Sequence, residues 1–185
     1  PQLVPDGVEP VELAARHQEL RMAWTLPRLL RRLGADLVHT QYALPLRCPC
    51  PAVVTIHDLS FEREPELMSR ADRWTFRLTV PRAARKARRV LTVSERSRRD
   101  LVELYGLPAA KVIVTPNGVD PVFRPDAGTG RGGFLLSVGA VQPRKNQTAA
   151  LAAARELGMP LKVAGPTSRW GDSGPWRARA WHLAS

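Results

Sequence analysis

The chain has little cysteine, few aromatic side chains, almost no lysine and no long apolar run, and each shortage removes a class of protein. Its two cysteines, Cys48 and Cys50 in the run RCPCP, are too few and too close for a disulfide framework. A lone C-x-C can ligate a metal, but no second Cys/His pair stands beside it, so a reduced, cytosolic chain is the plain expectation. No apolar stretch approaches the ~20 residues that span a bilayer, and no secretory leader opens the sequence. The first residue is Pro1, which suggests a trimmed N-terminus. Aromatic residues are 6% of the chain and do not interleave with the basic clusters, as a platform for stacking single-stranded nucleic acid would require.

What is abundant is arginine. The net charge is +11 over 185 residues, and Lys86, Lys111, Lys145 and Lys162 are the only lysines. Such a charge permits nucleic acid, acidic lipid or phosphorylated substrates as partners. Arginine in place of lysine, together with frequent alanine, is also what a GC-rich coding sequence produces. The charge is therefore permissive and selects no partner. Hydrophobic content of 44% suffices for a core, and the length corresponds to one or two domains.

Strand-like and helix-like segments alternate along the chain, which predicts an α/β fold with parallel sheets. Residues 11–33 carry helical spacing, with Pro27 starting a second helix or kinking the first. Short strands are expected at 36–41, 52–56, 90–93 and 111–115. A long basic helix is expected over 71–89, kinked or divided by Pro81, its outer face solvated or lying on an acidic membrane surface. Ser94 reads as the N-cap of a helix over 95–104 that Gly106 terminates. Residues 121–133 turn to proline and glycine and read as a linker. Phe134 then opens a strand over 134–138, followed by a tight turn at Gly139, a loop ending Pro143-Arg144-Lys145-Asn146, a helix over 147–157 and a strand within 160–166. The tail from Ser168 has no convincing period.

Two apparent motifs fail on context. Gly128 to Gly133 matches G-x-G-x-x-G but precedes a strand, whereas a dinucleotide fingerprint follows one and opens a helix. Glu95 and Glu103 stand at Glu-x7-Glu spacing within a predicted helix and read as surface carboxylates. More telling is where the polar residues fall. His39-Thr40, His57-Asp58, Ser94 and Asn117 each end a predicted parallel strand, and such ends converge on one edge of the sheet, where open α/β folds hold ligands. His39 suits a structural role. His57 is either a catalytic group or a histidine bonded to a local carbonyl. Arg144 and Lys145, between a strand and a helix N-terminus, suit a phosphate or diphosphate; a solvated basic loop is the alternative.

Taken in order, VVTIHDLSF, VLTVSERSRRDLVELYGLPAAKVIVTPNGVD, FLLSVGAVQPRKN and LKVAGP resemble glycosyltransferase family 4, over roughly residues 36–166. The resemblance implies the GT-B type: two Rossmann-like parallel-sheet domains, here over 1–124 and 134–185 with a linker at 125–133, both incomplete. It implies a retaining transferase that moves a sugar from a nucleotide-diphosphate donor to a glycan, lipid-linked or small-molecule acceptor hydroxyl, with no cofactor and no metal. Arg144 and Lys145 would clamp the donor diphosphate, Gly139 would let the backbone approach it, and His57 would act near the donor sugar and acceptor. Asp58, Ser94, Asn117 and Gly118 carry over as cleft or interdomain positions. The chain departs from the family in lacking its glycine-rich first loop and its later Glu-x7-Glu segment, which implies a truncated enzyme, inactive as this fragment, with an aberrant terminus after Ser168. The implied setting is cytoplasmic, with peripheral contact at an anionic membrane face and no specific nucleic acid. The reading from another class is a non-catalytic basic module for nucleic acid or anionic lipid. An epimerase or phosphorylase on the same fold is a third.

Overall fold

The computed structural model describes residues 7–13, 20–124, 133–141 and 145–165. Two compact units emerge, one of Pro1–Leu59 with Trp74–Asn117, the other of Ser60–Arg73 with Gly118–Ser185.

The first unit is built on four short strands: β1 (Val38–Gln41), β2 (Ala52–Thr55), β3 (Arg89–Thr92) and β4 (Val112–Val114). They lie in the order β1-β2-β3-β4, and every ladder is parallel. The register sets Val38 beside Ala52, Val54 beside Val90, and Val90 beside Val112, and all five are buried. This row of small and β-branched side chains is what a sheet covered by helices demands. The strand over 36–41 begins only at Val38, because Asp36 and Leu37 lie exposed before the ladder starts.

The helices follow from their caps and breaks. A π-helical turn (Arg21–Thr25) leads without a break into α1 (Leu26–Arg32), and Pro27 stands just past their junction, where the Met22 carbonyl accepts instead from the Leu46 N–H at 3.2 Å. A one-turn helix α2 (Ser60–Arg63) precedes the long α3 (Arg70–Lys86). Ser69 starts α3: its hydroxyl accepts from the Asp72 N–H at 3.2 Å and donates to the Asp72 carboxylate. Of the two outcomes expected at Pro81, a kink or a division, the structure excludes the division: the helix runs through it unbroken. Val80, Ala83 and Ala84 bury the flanking turns, and that packing offsets the one donor the proline removes. At the far end Lys111 donates its amine to the Arg85 carbonyl at 2.6 Å, satisfying one of the terminal acceptors of α3. Burial pushes the Lys111 amine below the ordinary lysine range.

Helix α4 (Glu95–Tyr105) opens at Ser94 and closes at Gly106, whose φ of 63° is the left-handed conformation that glycine adopts without strain. Ser97, Asp100, Leu101 and Tyr105 make its buried stripe. Glu95 and Glu103 are exposed, as expected of surface carboxylates, and Glu95 pairs with Arg98 at 3.5 Å.

Among the described residues the second unit contains one β-α-β element. β5 (Leu135–Val138) and β6 (Leu161–Ala164) pair in parallel around α5 (Gln147–Glu156), with Leu135 beside Leu161 and Val138 beside Ala164. The predicted linker over 125–133 and the tail from Ser168 fall, apart from Gly133, outside the described residues.

Thr92 is fully buried, and its hydroxyl has no hydrogen-bond partner among the described residues. A buried hydroxyl without a partner costs about 1–3 kcal/mol, so the near-isosteric Thr92→Val is expected to raise unfolding stability by about 1 kcal/mol in a denaturant titration.

Candidate active site

The C-terminal edge of the four-stranded sheet gathers most of the polar residues singled out above. β2 runs directly into His57, which is half-buried, and Asp58, which is exposed. β3 runs through a two-residue bend to the cap of α4. There the Ser94 hydroxyl accepts from the Ser97 N–H at 3.2 Å and lies 3.1 Å from the Ser97 hydroxyl, to which it donates. The Ser97 hydroxyl in turn donates to the His57 carbonyl at 2.8 Å. Cap, buried serine and strand end thus form one chain of hydrogen bonds across neighbouring strands, and it fixes the peptide that carries the imidazole.

Tyr42 holds the same histidine from the β1 side. It leaves β1 with φ of 58°, a conformation that costs a bulky L-residue roughly 1–2 kcal/mol, while its N–H bonds the Thr55 carbonyl at 3.0 Å. The turn brings its ring to 5.8 Å from the His57 ring, tilted by 40°, and to 5.3 Å from Phe76, edge to face. Such strain persists only where the surrounding structure holds it, as the Thr55 hydrogen bond and the two ring contacts do here.

His39 takes the structural part. Its Nε2 lies 2.7 Å from the Thr55 hydroxyl, directly across the β1–β2 ladder. Asn117 is exposed beyond β4, where the Thr115 N–H bonds the Thr92 carbonyl at 2.7 Å. Gly118 is exposed and groups with the second unit.

In the second unit the structure brings Gly139 and Lys145 together. A methyl group at Gly139 would lie 3.8 Å from Lys145 Cε, so the lysine stem passes directly over the glycine. The neighbouring strand end supplies the reason for a second glycine: a methyl at Gly165 would collide with the Gly139 carbonyl and lie 3.2 Å from Ala140 N. Gln147, buried at the start of α5, donates its amide to the Ala140 carbonyl at 3.0 Å and ties loop to helix. Asn146 precedes α5 with φ of 47° and makes no side-chain cap, so no side chain of the cap residue occupies the N-terminal N–H groups. Lys145 is exposed beside those donors, an arrangement with affinity for an anion. Arg144, the other predicted cation, lies outside the described residues. Among the described residues no group of three or more His, Cys, Asp or Glu side chains gathers as metal ligands would.

Residues 4–123 match the family model of Glycosyltransferase Family 4. The chain belongs to glycosyltransferase family 4. Its parallel α/β architecture is that of a GT-B protein, and the matched segment contains His57, Asp58, Ser94 and Asn117. No curated protein matches the chain.

Two residues that contact His57 escaped the sequence. Ser97 was legible only as the third residue past an N-cap, and S-x-x-S at a strand end was the signal available. Tyr42 had no signal beyond following a strand, because its backbone conformation is not written in its residue type. Ser97→Ala is expected to shift the His57 imidazole resonances and to quicken amide exchange around His57, with a stability loss of about 1 kcal/mol. Unchanged His57 resonances would show that the hydroxyl does not orient the ring. Gly165→Ala is expected to force β5 and β6 apart at their C-terminal ends, read as lost amide-exchange protection at the Gly139 N–H, which bonds the Ala164 carbonyl at 2.8 Å.

Proposed function

We propose that this glycosyltransferase family 4 chain serves transfer of a sugar from a nucleotide-diphosphate donor to an acceptor hydroxyl with retention of configuration. The observation that carries the reading is the histidine held by its carbonyl at the C-terminal edge of a parallel sheet, inside the segment that the family model matches. In this reading Lys145, with Arg144, takes the donor diphosphate, and Gly139 leaves room for it. Charge builds on the diphosphate as the bond from sugar C1 to the phosphate oxygen breaks, so fixed cations stabilise the transition state more than the ground state. The acceptor oxygen forms its bond to C1 on the same face. Its proton passes to the departing phosphate oxygen, and no protein nucleophile is consumed. His57 contacts the donor sugar or acceptor, and Asp58, Ser94, Asn117 and Gly118 shape the surroundings.

The donor is a substrate and the chemistry needs no metal, because the cations neutralise the leaving group. Glycan, lipid-linked and small-molecule acceptors all present the hydroxyl required. No described helix is long and apolar enough to cross a membrane. Peripheral contact with an anionic membrane face would draw on the same positive charge that the sequence shows throughout.

The test is turnover with a panel of nucleoside-diphosphate sugars, with product anomeric configuration read by NMR. Arg144→Ala and Lys145→Ala are each expected to lower kcat by about 10²–10³. Near-normal turnover in both variants would remove these residues from the site, and an inverted product would overturn retention.

A further inference from the structure

The opposite edge of the four-stranded sheet carries a groove of about 410 Å3 that the transferase reading does not use. It lies where β2 and β3 begin, with the Arg88 N–H bonded to the Ala52 carbonyl at 2.7 Å and the Val38 N–H to the Pro51 carbonyl at 3.0 Å. β2 then runs about 16 Å of extended chain before it reaches His57. Arg47, Arg82, Lys86 and Arg88 are among the lining residues, and no carboxylate is.

The four cations do different work. Arg82 is committed to the wall: its guanidinium donates to the carbonyls of Leu44, Pro45 and Leu46, at 3.3, 3.2 and 2.7 Å, and so fixes the loop between β1 and β2. Arg47, Lys86 and Arg88 are exposed and form no ion pair among the described residues. Three positive charges around a concavity whose lining holds no carboxylate repel one another, and an anion seated between them relieves that repulsion. The volume lies in the range of small-molecule sites, ~300–1,000 Å3, and guanidinium forks match phosphate oxygens in pairs. A recessed groove with a fixed wall suits a compact ligand better than the long flat stripe that a nucleic-acid backbone requires.

We propose that this groove is a second anion site, separate from the His57 edge, for a small phosphate-bearing polyanion of the pyrophosphate or nucleoside-diphosphate class. It stands independently of the transferase reading. The groove also contains its own reporters. Cys48 and Cys50 are the only cysteines in the chain, and both line it as half-buried free thiols. Cys48 donates its thiol to the Cys50 carbonyl at 3.1 Å. Burial, and then Cys48, push the Cys50 thiol up, with a smaller effect from the carboxylate of Asp36.

The experiment measures alkylation of the two thiols by uncharged iodoacetamide while pyrophosphate is added at constant ionic strength. Occupancy is expected to slow alkylation about tenfold at ten times the Kd. The protection is expected to persist in Lys145→Ala and to vanish in the exposed-surface double variant Lys86→Gln/Arg88→Gln, whose fold is checked by circular dichroism. Calorimetry on Lys145→Ala supplies a second readout, one pyrophosphate bound per chain and lost on adding the Lys86/Arg88 changes. ADP in place of pyrophosphate separates a nucleotide from the bare diphosphate, since tighter binding of either names the ligand within the class. No protection together with no Lys86/Arg88-dependent heat would overturn the proposal. So would equal protection by potassium chloride, or protection by phosphatidylglycerol vesicles alone.

Discussion

The parallel register of β1 to β4 is the constraint on which the rest of the first unit depends. Parallel neighbours force the chain to return to the same edge before each new strand, so every strand ends on the side where the next crossover begins. His57, Ser94 and Asn117 share an edge for that reason alone, although long stretches of sequence separate them. The same constraint separates the chemistry. Loop-to-strand junctions with Arg47, Lys86 and Arg88 fall on the other edge, and the buried valines between the two edges keep them apart.

Much of this was legible because it rests on periodicity and on residues with strong local preferences. Strand-length apolar runs located all six strands, and Ser94 and Gly106 marked the ends of α4 through the backbone chemistry of caps. The polar residues after each run were readable as a group, since the fold class dictates where strand ends go. Pro81 does not break its helix in two because tertiary packing decides: one missing donor is small against three buried side chains on the flanking turns. The strand, turn and helix around Gly139 and Lys145 were legible in outline. The stacking of Lys145 over Gly139 and the demand for glycine at Gly165 arise from two strand ends meeting, a fact that no single stretch encodes.

Tyr42 and Ser97 show where sequence reading stops. One contributes through a backbone conformation that its residue type disfavours, the other through a helix hydroxyl that serves a carbonyl just past the end of β2. Both are properties of assembly. A serine past an N-cap has several equivalent uses in an isolated helix, and only the neighbouring strand selects among them.

The serine relay also ties two motions into one. Opening the first turn of α4 frees Ser97, and freeing Ser97 leaves the His57 carbonyl without its donor. Helix fraying at this end, ordinarily a fast and inconsequential event, therefore also loosens the peptide that follows β2. The exposure of the His57 backbone carbonyl to solvent is thereby coupled to the opening of one helical turn.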